Sequence, residues 1–396
     1  MISVAEALAH ILALMPRLDA ETVPLAQAAH RVLAEPAIAR RDQPPFDASA
    51  MDGYAVQSAE ALPGATFRVV GESAAGHGFA GQLQSGQAVR IFTGAPVPMG
   101  ADCVLLQEDM TRDGDLVTLT GNHDGSRNIR AKGADFRAGD RFDAPRLIHP
   151  HDVALMAAMN IAELRVTRRP VVALIATGDE LVMPGEAPRP DQIVASNTFA
   201  LAALLRAEGA EARMLPIAPD TRAGLAAVFG MAQDADLIVT IGGASVGDHD
   251  LVADVATELG LQRAFYKVAM RPGKPLMAGR MGRAAMLGLP GNPVSAIVCG
   301  HLFVLPAVRA MLGLPDPAPR LRRAVLAEPV GANGPRAHYM RALVSDDDSA
   351  GLPNIQPFAQ QDSALLGLLS RANALMLRPP HDAAQPKGAE VRYLSL

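Results

Sequence analysis

Asp236-Leu-Ile-Val-Thr-Ile-Gly-Gly-Ala-Ser-Val-Gly-Asp-His-Asp250 is the stretch whose reading decides the fold. Leu237 to Ile241 are apolar or β-branched, enough for one buried parallel strand. Gly242-Gly243 then ends the strand, and Ser245, Gly247 and Asp248 make a turn of small residues. From Asp250 the chain reads DLVADVATEL, with apolar residues at helical spacing and acids in the first turn. Strand, glycine turn, helix is an arrangement that aims unpaired backbone N–H groups at an anion. A glycine-ended strand also arises for tight turning alone, so this stretch by itself leaves both readings open.

Two later stretches bear on the choice. One is Lys267-Val-Ala-Met-Arg271-Pro-Gly-Lys274-Pro275, the other Gly288-Leu-Pro290-Gly291-Asn292-Pro293-Val-Ser295. Each places Pro and Gly in a fixed loop, and the first carries Lys267, Arg271 and Lys274. Together with the glycine turn they point to a site for a phosphate-bearing ligand.

At 396 residues the chain is too long for one ordinary core, so about two to four domains are expected. A hydrophobic content of 49% with 19% charged residues is globular rather than disordered. A formal charge of −5 and no Lys/Arg run argue against nucleic acid as a partner. Trp is absent and aromatic residues are 4% of the chain, too few for base-stacking platforms. No apolar run of membrane-spanning length and no signal segment are read, so no membrane is expected. Cys103 and Cys299 sit among apolar neighbours and read as buried free thiols in a reducing, cytoplasmic setting.

Taken in order, Ser3-Val-Ala-Glu6 is a capping box opening a helix through about Leu14. A short helix near Leu25–Ala29 and an extended run over Arg31–Ala39 follow. The double proline of PPFDASAMDGYAV (residues 44–56) forbids helix and puts Asp47, Ser49 and Asp52 on a rigid segment, which composition alone also allows as an ordinary polar loop. Short β-like runs at Phe67–Val70, Ala88–Phe92, Cys103–Leu106 and Leu116–Leu119 argue a small β-domain carrying Thr93 and Asp135. His149 and His151 read as helix-cap or surface residues, since no Cys/His cluster completes a zinc site.

From Arg168 the pattern becomes doubly wound. Val171–Ala176 is a strand ending at Thr177-Gly178-Asp179-Glu180, and Asn197–Glu208 is a helix. Ala212–Ile217 is a strand, with Asp220 capping a helix through about Gln233. The central strand follows, then a strand near Ala284–Leu287 and a helix from Pro293 to about Met311. Strand ends of such a sheet converge on one crevice. Beyond Pro315–Pro319, the runs Leu321–Pro329, Tyr339–Val344 and Val391–Ser395 suggest a small C-terminal β-domain, with Asp346–Asp348 at a hairpin tip. Asp52, Asp135, Glu180, Asp220 and Asp250 fall in turns or at strand ends, where carboxylates suit Mg²⁺ shared with substrate phosphates. Lys267, Arg271 and Lys274 would neutralise anionic substrate oxygens. There is no nucleophile–base pair and no P-loop, so the chemistry expected is positioning and charge neutralisation at a phosphoanhydride or another oxyanion.

The stretches PPFDASAMDGYAV, RIFTGAPVP, ATGDEL, TIGGASVGDHD, KVAMRPGKPL and GLPGNPVSA, in this order and spacing, resemble the molybdopterin molybdenumtransferase family, to which the E-domain of gephyrin is related. The resemblance spans essentially the whole chain. It implies an α/β plus β fold, an elongated four-domain homodimer. A split N-terminal domain would cover residues 1–37 and 141–169, an inserted β-domain 38–140, a doubly wound molybdopterin-binding α/β domain 170–315, and a C-terminal barrel-like β-domain 316–396. The activity implied is insertion of molybdate into adenylylated molybdopterin, Mg²⁺-dependent, with release of AMP and formation of molybdenum cofactor. Partners implied are the molybdopterin adenylyltransferase and acceptor molybdoenzymes.

Carried over by position, Asp52, Thr93 and Asp135 match functional positions that face the partner subunit's α/β domain in the family. Glu180, Asp220 and Asp250 match acids around nucleotide and metal, with Asp220 and Asp250 as metal ligands. Gly243, Ser245 and the loop Pro290, Gly291, Asn292, Pro293 resemble the pterin-pyrophosphate cradle. Arg271, Lys274, Ser295, Arg341 and Ser363 resemble oxyanion-binding positions, with Lys267 and Pro275 in the same basic stretch. The sequence departs from the family pattern at Ala244 (usually Val), Arg271 (often Lys) and Ala134 (often Glu). The alternative function is a gephyrin-type clustering scaffold, which has no need of the retained acids and bases. A third option, a nucleotide hydrolase on the same α/β domain as in competence-damage proteins, would not need the split and inserted domains.

Overall fold

The computed structural model describes residues 1–243, 251–345 and 351–396. Two compact units are present, one of Thr22–Ala144 with Ile148–Arg165, the other of Met1–Glu21, Pro145–Leu147 and Val166–Leu396.

The smaller unit is mostly β. Its six-stranded sheet runs in the order 103–106, 53–56, 87–91, 66–73, 116–119, 110–113. Tyr54, Val56, Phe67, Leu105 and Val117 fill one core of this unit, Val89, Ile91 and Val104 another. The short helix expected near Leu25 is a single 3₁₀ turn, Leu25–Gln27. His149 is the N-cap of the helix Pro150–Ala158, its backbone N–H donating to the Asp152 carboxylate at 2.8 Å.

In the larger unit the decisive stretch forms a sheet. Its elements are β1 (Val171–Ala176), α1 (Asn197–Ala207), β2 (Glu211–Met214), α2 (Arg222–Gly230), β3 (Leu237–Ile241), α3 (Leu251–Glu258), β4 (Leu261–Tyr266), β5 (Met277–Met281), β6 (Ala284–Leu289) and α4 (Pro293–Cys299). The strand order is β2-β1-β3-β6-β5-β4, with β2, β1, β3 and β6 mutually parallel and β5 antiparallel to its neighbours. The strands β3 and β6 are buried at every residue, which is why they read as unbroken apolar runs rather than alternating ones. The antiparallel β4–β5 edge escapes the sequence reading, because its exposed positions interrupt the apolar signal.

Three expectations need correction. The strand predicted over Ala212–Ile217 stops at Met214, since Pro216 has no N–H for the ladder. The cap of α2 is Thr221, whose side chain accepts from the Gly224 N–H at 3.1 Å, and not Asp220. Pro293–Met311 is long and apolar enough to cross a bilayer, contrary to the expectation that no such run exists, but most of it is buried inside the protein. That helix changes to a π-turn over Gly300–Val304, where Gly300 lies so close to Leu201 of α1 that a Cβ would meet it at 2.7 Å.

At the N-terminus, the helix Val4–Leu14 opens with the full Ser3/Glu6 capping box. At the C-terminus, strands 337–345, 354–357, 321–326, 390–395 and 374–378 pair in sequence around a closed ring, the last returning to the first. Closure leaves the barrel no free edge. The two-residue strand Met270–Arg271 pairs in parallel with Ala337–His338 and so joins the basic loop to the barrel.

Candidate active site

In the order β2-β1-β3 the chain leaves β1 to one side and returns on the other, so the ends of β1 and β3 mark a topological switch point. A crevice of about 810 Å³ opens there. Thr177, Gly178 and Glu180 follow β1, Asp220 precedes α2, Gly242 and Gly243 follow β3, and Pro290 to Pro293 with Ser295 follow β6. Arg271, Lys274 and Pro275 come from the basic loop, while Arg336, Gln361, Asp362 and Ser363 come from the C-terminal barrel.

The double glycine is required by space as well as by φ. Gly242 and Gly243 have φ of 96° and 67°. A Cβ on Gly242 would stand 2.8 Å from the Thr177 carbonyl oxygen, and one on Gly243 2.2 Å from the Val252 side chain. The backbone therefore passes directly over the end of β1. Beneath it the Thr177 hydroxyl, and within β3 the Thr240 hydroxyl, are buried with no hydrogen-bond partner among the described residues.

The cradle after β6 is tied down from two sides. Asn197 Nδ2 donates to the Gly291 carbonyl at 2.7 Å, and Asn292 Nδ2 donates to Ser363 Oγ at 3.2 Å. The Val294 N–H donates to the Ser363 carbonyl at 3.1 Å, so the barrel segment and the start of α4 form one wall.

The crevice carries charges of both signs. Asp220, freed from capping by Thr221, accepts no hydrogen bond at its carboxylate from the described residues, while its N–H donates to Asp179 Oδ1 at 3.0 Å. Partial burial, then the nearby Asp179 and Glu180, hold the Asp220 carboxyl above its ordinary value. Among the described residues no three acidic, His or Cys groups converge in metal-ligand fashion. One or two carboxylates with an excess of negative charge nonetheless fit a hard dication that arrives with substrate phosphates. Arg271, Lys274 and Arg336 supply the cations.

Of the residues expected at the site, Glu180, Asp220, Gly243, Arg271, Lys274, Pro275, Pro290, Gly291, Asn292, Pro293, Ser295 and Ser363 line this crevice. Ser245 and Asp250 lie outside the described residues. Lys267 does not line it. It adopts φ 79°, and its ammonium sits 5.0 Å from the Tyr266 ring centroid. Arg341 does not line it either. It is 1% exposed, and its guanidinium donates to the Leu365 carbonyl at 3.1 Å and to Gln361 Oε1 at 3.4 Å. Arg341 thus holds the segment that carries Gln361, Asp362 and Ser363. Asp52, Thr93 and Asp135 belong to the smaller unit. There Asp52 Oδ1 accepts from both the N–H and the hydroxyl of Thr93 at 2.7 Å, and these bonds hold its carboxyl below the ordinary range. Asp135 is exposed. Of the crevice lining, the sequence reading had Thr177 only as a strand-end residue and did not include Asn197, Arg336, Gln361 or Asp362 in the site. A hydroxyl at a strand end and an Asn opening a helix were the only signals available for the first two.

Comparison with known proteins covers every part of the chain. A family model described as the MoeA N-terminal region (domain I and II) matches residues 2–160, one described as a probable molybdopterin binding domain matches 173–310, and one described as the MoeA C-terminal region (domain IV) matches 323–396. The chain is 36% identical over 388 residues to molybdopterin molybdenumtransferase 2 of Mycobacterium tuberculosis, covering 95% of each chain. It is 38% identical over 315 residues to the molybdopterin molybdenumtransferase of a Nostoc species, covering 76% of this chain and 72% of the relative. Among solved structures, the molybdopterin biosynthesis moeA protein of Pyrococcus horikoshii OT3 superposes with a TM-score of 0.85 at 25% identity, covering 100% of both chains.

Proposed function

This chain belongs to the molybdopterin molybdenumtransferase family, and from that membership we propose that it inserts molybdate into adenylylated molybdopterin, releasing AMP and leaving molybdenum cofactor. The observation that supports this most is the single crevice at the β1/β3 switch point, with acids after β1 and before α2, and cations from the basic loop and the barrel.

In this proposal the glycine turn and the Pro290–Pro293 cradle hold the phosphates of the substrate, through backbone approach that side chains would block. Arg271, Lys274 and Arg336 face the incoming oxyanion and the charge that develops when the phosphoanhydride breaks. Asp220 and Glu180 would hold Mg²⁺, with Asp250 as a further ligand, and the ion would neutralise phosphate oxygens when bound. Arg341 positions Ser363 rather than touching substrate. Asp52, Thr93 and Asp135 act on the site of a partner subunit in a homodimer. The four-domain division 1–37 with 141–169, 38–140, 170–315 and 316–396, a cytoplasmic setting, and exchange with an adenylyltransferase and acceptor molybdoenzymes belong to the same proposal.

The test is incubation with adenylylated molybdopterin, molybdate and Mg²⁺, following AMP. Release that depends on molybdate supports the proposal, and no release of AMP refutes it. Lys274→Ala should weaken molybdate binding in calorimetry, and equal affinity would count against the basic wall.

A further inference from the structure

Away from the crevice, the smaller unit holds a polar network built around Arg90, which stands on the strand 87–91 three residues before Thr93. That strand pairs with 53–56, which sets Arg90 opposite Tyr54, and 53–56 pairs in turn with 103–106. The Arg90 guanidinium donates through Nη1 to the Gly53 carbonyl at 2.9 Å and through Nη2 to Gln107 Oε1. Gln107 donates its backbone N–H to the Asp52 carbonyl at 3.0 Å. The same guanidinium lies 4.7 Å from the Phe92 ring centroid and 5.1 Å from that of Tyr54. An arginine lying over aromatic rings is common packing. Here its fork also reaches the backbone on which Asp52 sits. The carbonyls of Asp52 and Gly53 are held one by Gln107 and the other by Arg90, and the two side chains hold each other. On the far side, a Cβ on Gly53 would clash with the Leu105 carbonyl oxygen, so the segment is pressed directly against the strand 103–106.

The consequence falls on Asp52. Its Oδ1 accepts both the N–H and the hydroxyl of Thr93, and Oδ2 accepts no bond from the described residues. Both residues are exposed, so Oδ2 is the oxygen left to act on a ligand. Where it points depends on how residue 52 is placed against residue 93, and Arg90 ties the two segments together. We propose that Arg90 is a positioning residue for the Asp52–Thr93 pair, fixing the direction of Asp52 Oδ2 without touching substrate. This rests on the proposed reaction, in which that pair acts, and adds to it the group that aims the pair. A planar guanidinium makes two bonds at a fixed angle, which an ammonium on a flexible stem does not reproduce. Arg90→Lys therefore keeps the positive charge over the rings and loses the fork.

The test follows molybdate-dependent AMP release by the whole protein in wild type, Arg90→Lys, Asp52→Ala and the double variant, with thermal melting as the check on folding. Arg90→Lys is expected to lower kcat about tenfold with KM for adenylylated molybdopterin unchanged, less than the ~hundredfold that a 1 Å misplacement can cost. The double variant should be no slower than Asp52→Ala alone, because Arg90 then has nothing left to aim. Wild-type kcat in Arg90→Lys overturns the inference, and so do losses that multiply in the double variant. Should Arg90→Lys fail to fold, Gln107→Ala, at an exposed position, carries the test. It is expected to give a smaller fall in kcat that also vanishes when Asp52 is Ala, and an unchanged kcat overturns the inference. Asp52→Ala as active as wild type overturns it while leaving the proposed reaction standing. Wild-type protein that releases no AMP refutes the reaction and the inference together.

Discussion

Asn197, at the first turn of α1, donates its Nδ2–H to the carbonyl oxygen of Gly291 at 2.7 Å, fixing the loop after β6 to a helix 94 residues earlier in the chain. One bond of this kind contributes about 1 kcal/mol net. Asn197→Ala should therefore lower stability by about that amount in urea unfolding while loosening the Pro290–Pro293 cradle. The expected kinetic result is a raised KM for adenylylated molybdopterin with a smaller change in kcat. A variant with unaltered KM would show that the loop is held without this bond.

Thr177 carries a hydroxyl that is buried under the glycine turn with no partner among the described residues. An unsatisfied buried donor costs about 1–3 kcal/mol, and an apolar group of the same shape does not incur that cost. Thr177→Val is expected to raise the stability of the ligand-free protein by about 1 kcal/mol, read from the urea midpoint at constant m. A fall of similar size would mean that the hydroxyl is satisfied in solution.

Asp220 has a carboxyl whose affinity for protons is raised in the folded state by burial and by Asp179 and Glu180. Just above the ordinary Asp range, the folded protein binds more protons here than the unfolded chain, so this group's contribution to stability falls as pH rises. Asp220→Asn removes the like-charge repulsion. The ligand-free variant should melt higher than wild type at pH 7 and match it more closely near pH 4. Mg²⁺ should raise the melting temperature of wild type and not of the variant.

His338 and His301 behave in the opposite sense. Burial pushes each down from the ordinary 6.5 to about 4, with Arg271, Arg378, Arg341 and Arg336 adding to the effect at His338. At His301, Arg309 lowers it further and Glu208 opposes. Between pH 6.5 and 4 the unfolded chain takes up protons that the folded protein refuses, so stability should fall on acidification through that window. His338→Gln should keep a larger share of its own neutral-pH stability at pH 4.5 than wild type does. A flat wild-type profile over this range would show both rings to be accessible to water.

What the chain determines by itself is local. Val171–Ala176 and Leu237–Ile241 are legible because a strand covered on both faces has no polar position to break its run. The Ser3 capping box closes within a single turn, and the Gly242-Gly243 turn needs no distant partner to be recognised. Tertiary structure decides which polar groups meet. Arg336 and Arg341 are five residues apart on one barrel segment and indistinguishable in composition, yet Arg336 faces the crevice and Arg341 is buried against Leu365 and Gln361. Asn197 meets Gly291 because the strand order of the sheet brings together two groups 94 residues apart in the chain. Hydrophobic periodicity reports burial, which is a property of one segment. A hydrogen bond reports a pair, and the pair exists only after the sheet has formed.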